Sequence, residues 1–241
     1  MLQTITGRIR KAIEDYNMIE DGDKIAVALS GGKDSIALLY ALHNLRRFYL
    51  KKFNIIAITI HPDSETFKTD KLEKMCKELE IEYIIYHSDL SNIVFNIRKE
   101  KNPCSLCANL RRGMLNTIAL EHGCNKIALG HHLDDVIETL LMNMCLNGKI
   151  HTFSPVTTFA NSSVSVIRPM IYVYEKEIRA LSRKMNFPVM GKCCPKDGDT
   201  MREYMKNMII KLRKDIPKVR ENLIGCIIRS DIPGWKKDKT N

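Results

Sequence analysis

Three short stretches of this chain set reactive residue types at spacings that chemistry can use. In "NPCSLCANLRRG", Cys104 and Cys107 lie three apart, and Arg111 and Arg112 follow one turn later. On a helix starting near Ser105, Cys104, Cys107 and Arg111 share one stripe, while Leu106, Leu110, Met114, Thr117 and Ile118 form the stripe expected to face a core. A helix N-terminus favours thiolates, which serve as metal ligands or nucleophiles. A disulfide, a zinc ion, an iron–sulfur cluster and a redox relay all use this spacing. A second cysteine site, Cys193 and Cys194, stands in "GKCCPKDGDTMRE". Adjacent cysteines rarely hold one tetrahedral ion together, so three thiolates are the more natural count. Three suit a [4Fe–4S] cluster with one iron left open.

The second stretch is "AVALSGGKDSIALL". Ser30, Gly31 and Gly32 allow a sharp turn whose successive N–H groups converge at a helix N-terminus, a nest for phosphate. Lys33 adds charge and Ser35 a hydroxyl. The spacing is not that of a Walker A loop, so an ordinary P-loop NTPase is excluded. The plainer alternative is a left-handed turn with Asp34 or Ser35 as helix cap.

The third is "GHHLDDVIETLL". Gly130 ends a strand, His131 and His132 follow, and Asp134, Asp135 and Glu138 fall in the first turns of a helix. Neighbouring histidines point apart, which argues against a di-metal centre. Beside a nucleotide, carboxylates suit Mg²⁺, which takes one or two of them plus phosphate oxygens. Asp134 and Asp135 are the expected pair, directly or through water, with Glu138 behind them. An N-cap role for Asp134 is the plainer alternative.

The elements that must position these stretches alternate. Strands are predicted at Lys24–Leu29, Asn54–Ile60, Ile81–His87, Lys126–Gly130 and Val164–Pro169. Helices are predicted between them, at about Asp34–Phe48, Thr69–Leu79, Ser105–His122 and Asp134–Leu146. Such alternation predicts an α/β fold with a doubly wound parallel five-stranded sheet. Ligands of that fold sit beyond the carboxyl ends of the strands, where both loops fall. An N-terminal helix over residues 1–20 carries Ile5, Ile9 and Ile13 on one side. The α/β part is expected over 21–170, a helical C-terminal part over 171–230, and a flexible basic tail over 231–241.

Lys and Arg number 38 against 28 Asp and Glu, a net charge of +10, with basic clusters in "LRRFYLKKF", "NIRKEKN" and "KLRKDIPKVR". That balance favours a polyanionic partner. No apolar run is long enough to span a bilayer and the N-terminus lacks a signal-peptide core, so no membrane contact and a cytoplasmic address are expected. Eight cysteines in such a chain do not read as a disulfide framework. Cys76, Cys124, Cys145 and Cys226 are expected to be small buried hydrophobes.

"SGGKDS" is similar to the PP-loop motif of the ATP pyrophosphatase superfamily, an adenine nucleotide alpha hydrolase-like fold. Together with "PCSLCANLRRG", "KIALGHHLDDVIETLLMNM", "VIRPM" and the late cysteine, from about Asp21 to Leu212, it resembles the tRNA 2-thiocytidine synthetase family. The resemblance implies ATP-dependent installation of sulfur at C2 of a cytidine in the tRNA anticodon loop, position 32, with Mg²⁺ and a [4Fe–4S] cluster. It implies Cys104 and Cys107 as cluster ligands, with Cys194 as the third by its "CPKDGDT" context and Cys193 as the adjacent alternative. Ser30, Gly31, Gly32, Lys33 and Ser35 would hold the ATP phosphates, with Asp34, Gly130 and Asp135 beside them. Backbone around Ala28 and His61 would line the adenine and ribose. Arg111 and Arg112 would meet phosphate charge or the tRNA backbone. Implied partners are tRNA, ATP and a cysteine desulfurase or other sulfide source; a homodimer stays open.

Relatives in the same superfamily act on tRNA uridine but usually carry terminal zinc-binding CxxC pairs, which these ends lack. A lysidine-forming ligase would not need three cysteines. A metal-free persulfide carrier would leave the ATP loop without a purpose, and a tRNA-binding module would not need Asp134 and Asp135.

Overall fold

The computed structural model describes residues 1–62, 67–89, 103–159, 162–190 and 201–236, with backbone only for 103–105. Helix α1 (Leu2–Asp15) precedes β1 (Asp23–Ala28), α2 (Lys33–Leu45), β2 (Phe53–His61), α3 (Asp70–Glu78) and β3 (Glu82–His87). Then come α4 (Pro103–Glu121), β4 (Lys126–Ala128), α5 (Leu133–Asn147), β5 (Val156–Thr157) and β6 (Ser165–Ile167). Helices α6 (Glu175–Lys184), α7 (Met201–Asp215) and α8 (Val219–Arg229) follow.

The sheet has six strands in the order β3-β2-β1-β4-β6-β5, so the expected five-stranded sheet gains one. The first five of that order are parallel; β5 pairs antiparallel with β6, Val156 opposite Ile167. Two residues carry no periodicity, so nothing in the sequence marks β5. Arg168 places it instead: its Nη1 donates to the Ser154 carbonyl at 2.6 Å and to Thr157 Oγ1 at 2.9 Å, and its own N–H donates to the Pro155 carbonyl.

Side chains alternate across the strands and so divide the core. Ile25, Val27, Ile55 and Ala57 join the larger layer, with Ile5 and Ile9 of α1, Leu38 and Leu42 of α2 and Ile137 of α5. Ala26, Ile56, Ile58 and Ile127 join the other, covered by Leu115, Ile118 and Ala119 of α4. The core stripe of α4 therefore differs from the expected one: Thr117 is exposed and Leu115 and Ala119 are inside.

The C-terminal helices belong to the larger layer through Met205, Ile209, Ile224 and Ile227. The tail expected to fray from 231 is fixed as far as Trp235. Its indole is fully buried, donates Nε1–H to the Phe153 carbonyl at 3.2 Å, and meets Tyr16 of α1 edge-on at 5.9 Å. Cys76 and Cys124 are buried as expected, but Cys145 and Cys226 are exposed. Cys145 lies in the exposed last turn of α5 beside the exposed Met144 and Leu146, and Cys226 faces solvent while its neighbour Ile227 is buried. Among the described residues no helix is long and apolar enough to cross a membrane.

Candidate active site

The strand order reverses between β1 and β4, and in open parallel sheets that is where a crevice forms. A cavity of 400 Å³ occupies it. Ala28 and Ser30 at the end of β1, Asp34 and Ser35 on α2, and Leu129, Gly130, His131 and Asp135 after β4 line one side. Ala108, Arg111, Arg112 and Leu115 of α4 line the other. One space thus touches the glycine loop, the His-Asp loop and the cysteine helix.

The glycine loop is built tightly. Gly31 has φ +78°, and a Cβ there would lie 2.4 Å from Met190 Sδ. The Met190 N–H donates to the Gly31 carbonyl at 2.9 Å and holds the turn from beneath. Ser35 Oγ donates to the Gly32 carbonyl at 2.9 Å and accepts the Ser30 N–H at 3.2 Å. Gly32 is the N-cap of α2 and offers no side chain, so the first amides of α2 lack a side-chain cap. An uncapped helix start of this kind is an anion site. Gly130 brings the end of β4 against α2; a Cβ there would sit 3.1 Å from the Asp34 carbonyl carbon and the Ser35 nitrogen.

The start of α5 is closed by its own residues. His132 Nδ1 accepts the Asp135 N–H at 3.3 Å, and Asp135 Oδ2 accepts the His132 N–H at 2.9 Å, a reciprocal cap. With Nδ1 accepting, the neutral His132 ring carries its proton on Nε2, 3.8 Å from Asp34 Oδ1. The His131 ring packs on Phe153, centroids 4.9 Å apart. Burial, reinforced by Arg168 and Arg202 against the pull of Asp135, pushes His131 down to about 4, so it is neutral near pH 7.

The two aspartates part ways. Asp135 faces the cavity, and its Oδ1 also accepts from Arg202 Nη1 at 3.2 Å. Asp134 is buried and turns toward the scaffold. Its Oδ2 accepts the Glu175 N–H at 2.7 Å, and its Oδ1 pairs with Arg220 Nε at 3.0 Å, off hydrogen-bond alignment. Of the two carboxylates expected beside a nucleotide, Asp135 alone lines the cavity, and Asp134 turns into the scaffold because Glu175 and Arg220 engage its oxygens. Glu138 lies behind, buried, with Arg202 Nη1 at 3.4 Å. Burial, then the nearby Asp135, lifts Glu138 to about 7 against Arg202 and Lys206.

Lys33 does not reach across the open loop. Its Nζ lies 2.9 Å and 3.0 Å from the Asp34 oxygens and 3.2 Å from Glu175 Oε1. Burial pulls Lys33 down, but Asp34 and Glu175 together outweigh it and hold it above its ordinary value. His61 does not line the cavity. Its Nε2 is 2.7 Å from the Phe67 carbonyl oxygen, its ring lies 4.6 Å from that of His87, and its carbonyl accepts the Ser88 N–H. Those contacts fix it at the end of β2, one strand away.

Of the cysteines, Cys107 is half-buried on α4, and Arg111 Nη2 lies 3.9 Å from its Sγ, as the shared stripe requires. The backbone puts Cys104 one turn earlier in the first turn of α4. The side chain of Cys104, and Cys193 and Cys194 altogether, lie outside the described residues. Among the described residues no three His, Cys, Asp or Glu side chains gather as metal ligands. Two thiols on consecutive turns at a helix start are a donor set fitting part of an iron–sulfur site.

Glu175, Arg220 and Met190 have no signal in the sequence, and Arg168 and Arg202 stand in the quoted "VIRPM" and "TMRE" stretches without a role of their own. Arg202 Nη2 also donates to Thr139 Oγ1 at 3.2 Å, locking the start of α7 onto α5. Only the "TMRE" stretch after the late cysteines pointed near it.

Comparison with known proteins shows the family. The family model of the PP-loop domain matches residues 1–213. The tRNA-cytidine(32) 2-sulfurtransferase of Geobacter metallireducens is 40% identical over 229 residues, covering 92% of this chain and 88% of that protein. The protein of the same name from Ralstonia pickettii is 36% identical, covering 97% of this chain and 75% of its own. Among solved structures, the U34-tRNA thiolase NcsA from Methanococcus maripaludis with its [4Fe-4S] cluster superposes with a TM-score of 0.73 at 27% identity, over 92% of this chain and 76% of that one. The NH3-dependent NAD synthetase of Campylobacter jejuni, at TM-score 0.52 and 17% identity, covers 94% of this chain and 91% of its own and shares the fold.

Proposed function

The chain belongs to the PP-loop family of tRNA-cytidine 2-sulfurtransferases, and from that premise we propose that it replaces O2 of cytidine 32 in tRNA by sulfur at the expense of ATP. One observation carries the reading. A single 400 Å³ cavity is bounded by an uncapped helix N-terminus on one side and by the CxxC helix on the other, so an activated base and a sulfur donor can meet in it.

The first step is adenylation. The triphosphate lies on the amides at the start of α2, with the Ser30 and Ser35 hydroxyls beside it. Lys33 supplies charge. Asp135, facing the cavity, holds Mg²⁺ directly or through water, and Asp134 fixes the scaffold. The cytidine O2 attacks the α-phosphorus, the Pα–O bond to the β-phosphate breaks, and pyrophosphate leaves with the electron pair. In the second step a sulfide equivalent attacks C2, the C2–O2 bond breaks, and AMP leaves carrying the former base oxygen. The oxyanion of AMP needs stabilisation, which Arg111 and Arg112, both lining the cavity, would supply.

Cys104, Cys107 and Cys194, or Cys193 in its place, would hold a [4Fe–4S] cluster, which when bound supplies an open iron to carry that sulfide. A cysteine desulfurase or another sulfide source would reload it. The basic clusters of the sequence would meet tRNA phosphates, so binding weakens steeply with salt. Residues 21–170 form the nucleotide part and 171–230 the arm that carries the late cysteines and α7.

The test is nucleoside mass spectrometry of tRNA from cells with and without the gene, together with the anaerobically purified protein given ATP, Mg²⁺, sulfide and unmodified tRNA. 2-Thiocytidine that disappears with the gene and reappears in vitro is the expected result. 2-Thiouridine instead would transfer the reading to the uridine thiolases, and no thionucleoside at all would overturn it.

A further inference from the structure

Glu175 gathers more charge than any capping role needs. It is the first residue of α6, and its carboxylate meets three cations: Arg179 Nη2 at 2.8 Å, Lys206 Nζ at 3.1 Å and Lys33 Nζ at 3.2 Å. Its backbone N–H is pinned by Asp134 Oδ2 at 2.7 Å, which explains why the first aspartate of the Asp-Asp pair turns inward. Burial opposes ionisation of Glu175, yet Arg179, Lys33 and Lys206 outweigh it and hold its pKa at about 2.

The three cations are not equivalent. Arg179 sits one turn along the same helix, and Lys206 comes from α7. Lys33 alone stands next to the uncapped amides of α2. If Lys33 leaves, Glu175 keeps two cations, so no buried carboxylate is stranded. Lys33 also keeps Asp34 at 2.9 Å, so a phosphate contends with Glu175 for the side of this ammonium that Asp34 does not hold.

We propose that Glu175 is a positioning residue that holds Lys33 between turnovers, yields it to the phosphates of ATP, and takes it back as pyrophosphate departs. The inference rests on the adenylation reading above and adds to it a route for product release. No bond forms or breaks in this step; one ion pair exchanges for another. Its signature is that removing the Glu175 charge tightens the grip on pyrophosphate instead of loosening it.

The experiment is calorimetric titration of the full-length chain with magnesium pyrophosphate, beside steady-state thiolation. Glu175→Gln keeps the shape and drops the charge. It is expected to bind pyrophosphate roughly five- to tenfold more tightly, the size of one partly buried ion pair, and to turn over more slowly as release lags. In a Lys33→Met background the same substitution is expected to change pyrophosphate affinity by less than about twofold. Lys206→Gln serves if Glu175→Gln does not fold. It strengthens the hold of Glu175 on Lys33, so its loss of pyrophosphate affinity is to be larger with Lys33 present than in Lys33→Met. Weaker pyrophosphate binding by Glu175→Gln, or an equal effect in both backgrounds, overturns the proposal while leaving thiolation standing. A wild-type chain that binds neither ATP nor pyrophosphate overturns it together with the adenylation reading.

Discussion

The two walls of the cavity are built to different standards. On the nucleotide wall, Gly31 is held from beneath by Met190, Gly130 touches the backbone of α2, and His132 and Asp135 cap each other. The facing wall is α4, where Arg111 and Arg112 are exposed, Cys107 is half-buried, and among the described residues the core contacts begin at Met114. The glycine-loop wall is set by backbone geometry. The facing wall carries Cys107 half-buried on a helix end ahead of those contacts, so in the proposed reaction it depends on what the cysteines hold. In the proposed reaction, activation is preorganised and sulfur delivery has to be assembled.

The sharpest way to break that contrast is Cys107→Ser. Thiolation should fall by at least about a hundredfold, through loss of a ligand or nucleophile, while ATP binding stays within about twofold. Anaerobic iron content, tRNA thionucleoside yield and ATP titration together check it; ATP affinity falling in step with thiolation would mean the walls are one unit.

Next in size is the division between the two aspartates. Asp134→Asn removes the charge facing Arg220 inside the protein and should cost about 3 kcal/mol of stability, read by denaturant unfolding. Asp135→Asn should leave the midpoint nearly unchanged and raise the Mg²⁺ requirement for turnover. A reversal of the two phenotypes would return the metal to Asp134.

A smaller effect concerns Glu138. Its folded pKa of about 7 lies above the unfolded carboxylate value, so the folded state binds the extra proton between about pH 4.5 and 7. Stability from this group is therefore present at the acid end of that window and lost as pH rises through it. Glu138→Gln should flatten the fall in melting temperature between about pH 5 and 7.5, by an amount on the order of 1–3 kcal/mol. An unchanged slope would show that Arg202 keeps the carboxylate charged throughout.

The mildest change is Arg112→Ala on the looser wall. A few-fold weaker tRNA affinity is expected, with the slope of log affinity against log salt reduced by about one ion. An unaltered slope would assign Arg112 to AMP alone.

Legibility followed the same division. The strand, the glycine turn and Gly130 could be read because backbone needs select residue types: Gly31 at φ +78° admits few others. The parallel sheet was legible because buried strands are apolar runs. β5 was not, because Arg168 makes it rather than its own residues. The functions of Asp134 and Glu175 were hidden for a related reason: each is set by partners more than 30 positions away, and no local pattern records such pairings. The tail misled because "PGWKKDKTN" is polar in composition while Trp235 alone decides where it lies.

That indole is the chain's single tryptophan, set against Tyr16 of the first helix and Phe153 of the middle of the chain. During synthesis the first helix therefore emerges long before its last core neighbour exists. The nascent chain can form its sheet, but Tyr16 waits with one face bare until residue 235 arrives. Tryptophan emission from this one ring reports that closure without any label, and a cut just before Ile232 would leave a protein with its first helix permanently unfinished.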